Sequence, residues 1–146
     1  MLDQEKVRVI VAEDDYFVWE TISFALEEIG YELIATARDG EEAIKIAEKT
    51  AADVILMDIE MPKLDGLEAA KAIQDKCPIP IVVLTAYESA ELVEKASKVG
   101  VSAYLTKPPN PKRIERAITI AMARHNDLMA LRQSNAKLEK ALNEIK

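Results

Sequence analysis

Along the chain of 146 residues, short apolar runs alternate with segments whose apolar positions recur every three or four residues. "VRVIVA" (7–12), "ELIATA" (32–37), "DVILM" (53–57), "IPIVVLT" (79–85) and "SAYLT" (102–106) each have the length of a strand. Three of these are unbroken β-branched or aliphatic runs, the pattern of strands covered on both faces. Amphipathic helical patterns at 16–29, 40–49, 66–76 and 89–98 separate them. Gly30, Asp39-Gly40, Asp65-Gly66, Pro78 with Pro80, and Gly100 mark the turns between units. The order is βα repeated four times, a fifth strand and a long last helix. That order predicts an α/β protein with a doubly wound, five-stranded parallel sheet.

The last segment follows a different rule. Asn110 and Pro111 make a good helix start, a capping side chain followed by a residue whose φ is already set. No Gly or Pro then interrupts the chain as far as Lys146. Placing heptad position a at 114, 121, 128, 135 and 142 gives Ile, Ala, Leu, Asn and Leu. Position d, at 117, 124, 131, 138 and 145, gives Ala, Arg, Leu, Leu and Ile. From Leu128 onward the seam is apolar except for Asn135, and one Asn at a specifies a two-stranded parallel register. Asp127 and Arg132 fall at g and the following e, where they can pair between chains. Residues 126–146 are therefore expected to form a coiled-coil homodimer; an exposed, frayed helix is the competing expectation for so short a seam. The chain divides into a body, 1–124, and a helical extension, 125–146.

The charge is uneven. Residues 112–146 hold eight Lys/Arg and four Asp/Glu, whereas residues 1–111 hold eleven and twenty-two. An acidic body argues against direct nucleic-acid binding, since phosphate backbones reward positive surface. The basic tail reads as a solvated helix face, because acids interleave its lysines and arginines. One cysteine, Cys77, excludes a disulfide framework within the chain and fits a reducing compartment. No basic leader with a long apolar run opens the sequence, and no apolar stretch is long enough to span a bilayer. A cytoplasmic protein without a membrane partner is expected.

The strand ends carry the chemistry, because in such sheets functional groups collect beyond the carboxyl ends of the strands. The first strand ends in "EDD" (13–15), the third in Asp58, the fourth in Thr85 and the fifth in Thr106-Lys107, while "TARDG" after the second reads as a plain turn. Taken singly, Asp15 and Asp65 are caps or turn formers, Thr85 a strand-end hydroxyl, Lys107 a surface lysine and Tyr104 half-buried packing. Jointly, clustered carboxylates repel, and a hard divalent cation such as Mg²⁺ removes the conflict. Asp14 and Asp58 can ligate it directly, Glu13 directly or through water, and Glu60 by its backbone carbonyl. A carboxylate so placed can act as a nucleophile toward phosphorus. Lys107 and Thr85 then supply a point charge and a hydroxyl donor to the phosphoryl oxygens.

"VIVAEDD", "ILMDIEMPKLDG", "VVLTAY" and "AYLTKP" stand in the order and spacing of the receiver domains of two-component response regulators, and residues 7 to about 124 resemble that family. The resemblance implies a flavodoxin-like (βα)5 fold, with Asp58 as phospho-acceptor for a sensor histidine kinase. It implies Mg²⁺ held by Asp14, Asp58 and the Glu60 carbonyl, with Glu13 completing the acidic pocket where aspartate is more usual. Thr85 and Lys107 would contact the phosphoryl group, and Thr85 and Tyr104 would form the switch. Pro109 departs from the Phe the family often has there. In the family, the residues two beyond the acceptor and two beyond the switch threonine tune dephosphorylation. Here these are Glu60 and Tyr87, neither an amide that would orient water, so a long-lived phosphoryl group is expected. The tail, "RAITIAMARHNDLMALRQSNAKLEKALNEIK", resembles the helix that joins receiver to output in AmiR/NasR-type (ANTAR) antitermination regulators. The sequence given ends at Lys146, within that helix, so such a regulator and a stand-alone dimeric receiver are both compatible with it.

Three other readings differ in their marks. A Mg²⁺-dependent phosphatase of the haloacid-dehalogenase type also uses an Asp nucleophile, but resembles "DxDxT" where this chain has "DIEM". A nucleotide binder needs a glycine-rich loop after the first strand, and "AEDDYF" would repel a pyrophosphate. A purely structural dimeriser would leave Asp58 unphosphorylated.

Overall fold

The computed structural model describes residues 6–87 and 89–145. Ten elements follow one another: β1 (Arg8–Ala12), α1 (Tyr16–Ile29), β2 (Glu32–Ala37), α2 (Gly40–Lys49), β3 (Val54–Asp58), α3 (Gly66–Lys76), β4 (Ile81–Thr85), α4 (Ala90–Lys98), β5 (Ala103–Thr106) and α5 (Pro111–Glu144). All pairings are parallel, in the order β2-β1-β3-β4-β5. Residues 1–5 of the expected body and Lys146 of the expected coiled coil lie outside the described residues.

The unbroken apolar runs are explained by two cores, one on each face of the sheet. Along β1, Val9 and Val11 join the cluster under α1 and α5, while Ile10 and Ala12 join the one under α2 and α3. Successive strand residues point to opposite faces, so a strand covered twice needs an apolar residue at every position. Helix α1 contributes Ile22, Ala25 and Leu26 to the first cluster, and α3 contributes Ala69, Ala70 and Ile73 to the second.

Element edges depart from the sequence pattern by one or two residues, each for a local reason. β4 starts at Ile81 because Pro80 has no N–H for the ladder, although its carbonyl still accepts from the Ile55 amide at 2.9 Å. α4 starts at Ala90 because Ser89 caps it, its hydroxyl accepting from the Leu92 amide at 3.1 Å.

α5 runs for 34 residues. The Asn110 side chain caps it by accepting from the Arg113 amide at 2.9 Å. Ile114, Ala117, Ile118 and Ala121 are buried against the sheet. Arg124 then donates to the Ser102 carbonyl at 3.1 Å. Beyond it Leu131, Leu138, Leu142 and Ile145 are exposed. No described helix is long and apolar enough to cross a membrane.

Candidate functional site

The strand order reverses direction at β1, so the crossovers to β2 and β3 leave on opposite faces and open a crevice at the carboxyl ends of β1 and β3. β1 delivers Glu13 and Asp14 to that crevice, and β3 ends on Asp58. The register Asp58↔Leu84 and Thr85↔Thr106 brings the ends of β4 and β5 level with it.

Asp58 and Glu13 are almost fully buried, 5% and 2% exposed, whereas Asp14 faces solvent. Lys107 bridges the two buried acids, its Nζ 3.0 Å from Glu13 Oε1 and 3.0 Å from Asp58 Oδ2. The other Asp58 oxygen, Oδ1, accepts from the Glu60 amide at 3.1 Å, which fixes the carboxylate between loop and lysine. Glu13 Oε2 accepts from the Asp15 amide at 3.2 Å. Glu13 Oε1 has the lysine charge nearby but no well-directed hydrogen bond, so a buried acceptor is left short of a partner.

Carboxylate oxygens of Glu13, Asp14 and Asp58 lie within 4.8 Å of one another. Burial, and then the Asp58 carboxylate beside it, pushes Glu13 up to about 7. Burial works against the Lys107 ammonium, but Asp58 and Glu13 outweigh it and hold the lysine above its ordinary range. One lysine cannot neutralise three acids, and a buried carboxylate oxygen still lacks a donor. A hard cation with oxygen preference fits both deficits.

Thr85 is buried, and its hydroxyl is already engaged. It donates to the Tyr87 carbonyl at 2.7 Å and accepts from the Tyr87 amide at 3.1 Å. Tyr104, on β5, is 41% exposed, so its ring stands at the surface. Asp15 and Asp65 serve as helix caps, accepting from the Phe17 amide and the Glu68 amide, both at 2.9 Å. The Glu60 side chain is exposed, and the loop that carries it joins the site through its backbone amide. The Lys107-Pro108 bond is cis.

Some participants were not legible in the sequence. Arg113 donates to the Thr106 hydroxyl beside Lys107. Trp19 Nε1 donates to the Thr36 hydroxyl at 2.9 Å, in the wall of a cleft of about 410 Å³ that Glu13, Asp14 and Arg38 also line. Gly66 lies against the end of β3 so closely that a Cβ would stand 2.2 Å from the Asp58 carbonyl oxygen. Only the "DG" pair hinted at Gly66, and it read as a turn.

Residues 9–119 match the family described as response regulator receiver domain. The transcriptional regulatory protein PdtaR of Mycobacterium tuberculosis is 40% identical over 139 residues, which is 95% of this chain and 68% of that protein. The receiver domain of the putative response regulator NarL from the same organism superposes with a TM-score of 0.78 at 28% identity, covering 82% of this chain and 98% of that one. The receiver domain of the sensor histidine kinase PA1611 from Pseudomonas aeruginosa superposes at 0.72, with 28% identity, covering 82% and 99%; it carries a magnesium ion in its active site cleft.

Proposed function

The chain belongs to the response-regulator receiver family, and we propose that Asp58 accepts a phosphoryl group from a sensor histidine kinase or a small acyl phosphate in a Mg²⁺-dependent reaction. The observation that carries this reading is the buried Asp58 carboxylate, with Lys107 Nζ 3.0 Å away and the acids Glu13 and Asp14 within reach of a shared cation. Asp14, Asp58, Glu13 and the Glu60 carbonyl are the oxygens that would hold Mg²⁺. Bound there, the ion would offset the charge of the carboxylates and of the incoming phosphoryl oxygens.

In the transfer an Asp58 carboxylate oxygen forms the new O–P bond. The donor's P–N or P–O bond breaks, its electron pair leaving with the imidazole or the carboxylate. Lys107 gives the phosphoryl oxygens a fixed positive charge without moving far, since it already spans Glu13 and Asp58. Thr85 has to give up the Tyr87 carbonyl to donate to the new group, and that exchange loosens the first residues of the loop after β4. Tyr104 then has cause to turn inward, so phosphorylation acts through contacts better made in one state than the other.

The body to residue 124 is the receiver, and the extension from 125 is a dimerising helix. Asp127, Arg132 and Asn135 in that seam favour a second copy in parallel as its occupant. The output is transcription antitermination, as the tail's resemblance to ANTAR regulators suggests; a stand-alone receiver relaying through protein contacts is the alternative. Such a relay belongs in the cytoplasm.

The test is labelling with a small acyl phosphate, with and without Mg²⁺, on intact chain and on Asp58→Asn. The intact chain takes label only with Mg²⁺ and keeps it for longer than a minute, while the variant takes none and melts at an unchanged or higher temperature. Equal labelling of the variant, or turnover of a generic phosphomonoester, rejects the proposal.

A further inference from the structure

The turn at the start of α2 read as plain in sequence, yet it is packed against the loop that carries Glu60. A Cβ on Gly40 would stand 2.1 Å from the Leu64 carbonyl oxygen and 2.8 Å from Leu64 Cβ. Real Cβ atoms do not approach backbone so closely, so no side chain fits at 40 unless the loop after β3 moves. Beside it, Lys63 Nζ lies 3.6 Å from Asp39 Oδ2. Lys63 has φ 66°, and among the described residues it is the one non-glycine in the left-handed region. A strained residue and a glycine contact thus meet where α2 touches the loop.

The loop itself is tied at both ends. The Ile59 amide donates to the Leu84 carbonyl at 3.0 Å, and the Gly66 amide donates to the Ile59 carbonyl at 2.8 Å. Between these ties, the Glu60 amide holds Asp58 Oδ1. A push at Leu64 has few ways out other than residues 59–63, because α3 starts two residues beyond Leu64 on Gly66, itself in close contact with β3.

We infer that Gly40 is a positioning residue for the acceptor site: its bare Cα lets α2 buttress the loop after β3, which sets the Glu60 backbone and through it the Asp58 carboxylate. This rests on the reading of Asp58 as acceptor with Mg²⁺ beside it. Gly40 touches neither the acid cluster nor any phosphoryl group; it acts through Leu64, Glu60 and Asp58 in turn. Loss of a group bonded directly to a metal ligand commonly costs 10–100-fold in affinity, and Gly40, three contacts away, stands at the weak end of that range.

The test compares intact chain, Gly40→Ala and Lys63→Gly. Three readouts are taken: the Glu60 amide resonance in metal-free protein, Mg²⁺ affinity from Trp19 fluorescence, and thermal midpoint. Gly40→Ala is expected to shift the Glu60 resonance and to weaken Mg²⁺ about tenfold while remaining folded. Lys63→Gly removes the left-handed strain and the Asp39 pairing together. It is expected to weaken Mg²⁺ severalfold without lowering the midpoint, a combination that a merely structural role would not produce. Should Gly40→Ala fail to fold, Lys63→Gly decides alone. Folded variants with the Glu60 resonance and Mg²⁺ affinity of the intact chain overturn the inference and leave the acceptor reading standing. Failure of the intact chain to bind Mg²⁺ removes the acceptor reading, and with it this inference.

Discussion

α5 has one periodicity and two fates. Ile114, Ala117 and Ala121, at a and d of its heptad register, are buried under the sheet with at most 7% exposed. Leu131, Leu138, Leu142 and Ile145 continue the same register and are 56–79% exposed. The register does not slip between the two halves. Only the covering changes, from a sheet of the same chain to nothing among the described residues. Periodicity therefore tells which side of a helix is to be dry, and tertiary contact tells what makes it dry. Arg124 marks the border: a charge at a d position, bound to the Ser102 carbonyl where the sheet ends.

The largest effect of a single substitution is expected in the upstream half. Ile118→Ala, at a side chain with no exposure, is expected to cost about 2–5 kcal/mol in urea unfolding. A cost near zero would mean that the upstream half is not core. The body also has a pH signature centred on its buried acid. Burial holds the folded Glu13 carboxyl up at about 7 against an ordinary 4.5, so the stability it gains from protonation is fully present below pH 4.5 and lost as pH rises through about 7. In metal-free protein, the stability of the intact chain relative to Glu13→Gln should fall across that window; a flat difference contradicts the raised value. The smallest effect on the body is expected from Leu138→Asp. Unfolding of the receiver should stay within ~0.5 kcal/mol, while light scattering shows any dimer reduced to monomer. A lower receiver midpoint would show that the tail packs on its own body.

Local chemistry made much of this legible. Helices 16–29, 40–49 and 66–76 stand where their patterns placed them, because caps such as Asp15, Asp39 and Asp65 sit directly before the apolar stripes. The carboxylates at the strand ends could be located because strand ends can. What sequence withheld was pairing across distance. Lys107 is 94 residues from Glu13, and nothing near either residue says that they share an ion pair. The Thr85 hydroxyl closing on Tyr87 depends on loop backbone angles that composition leaves open. Gly40 looked like turn chemistry because its reason, Leu64, lies in another loop.

The length of α5 has a mechanical consequence. A helix of 34 residues is about 50 Å long, and the part beyond Ala121, its last fully buried residue, makes up roughly 35 Å of that. Taken as a stiff rod, it turns a tilt of about 5° at its root into a displacement of about 3 Å at its tip. The helix is a pointer whose pivot is packed in the receiver, so a rearrangement too small to matter at the sheet is magnified by leverage where a second chain would meet it.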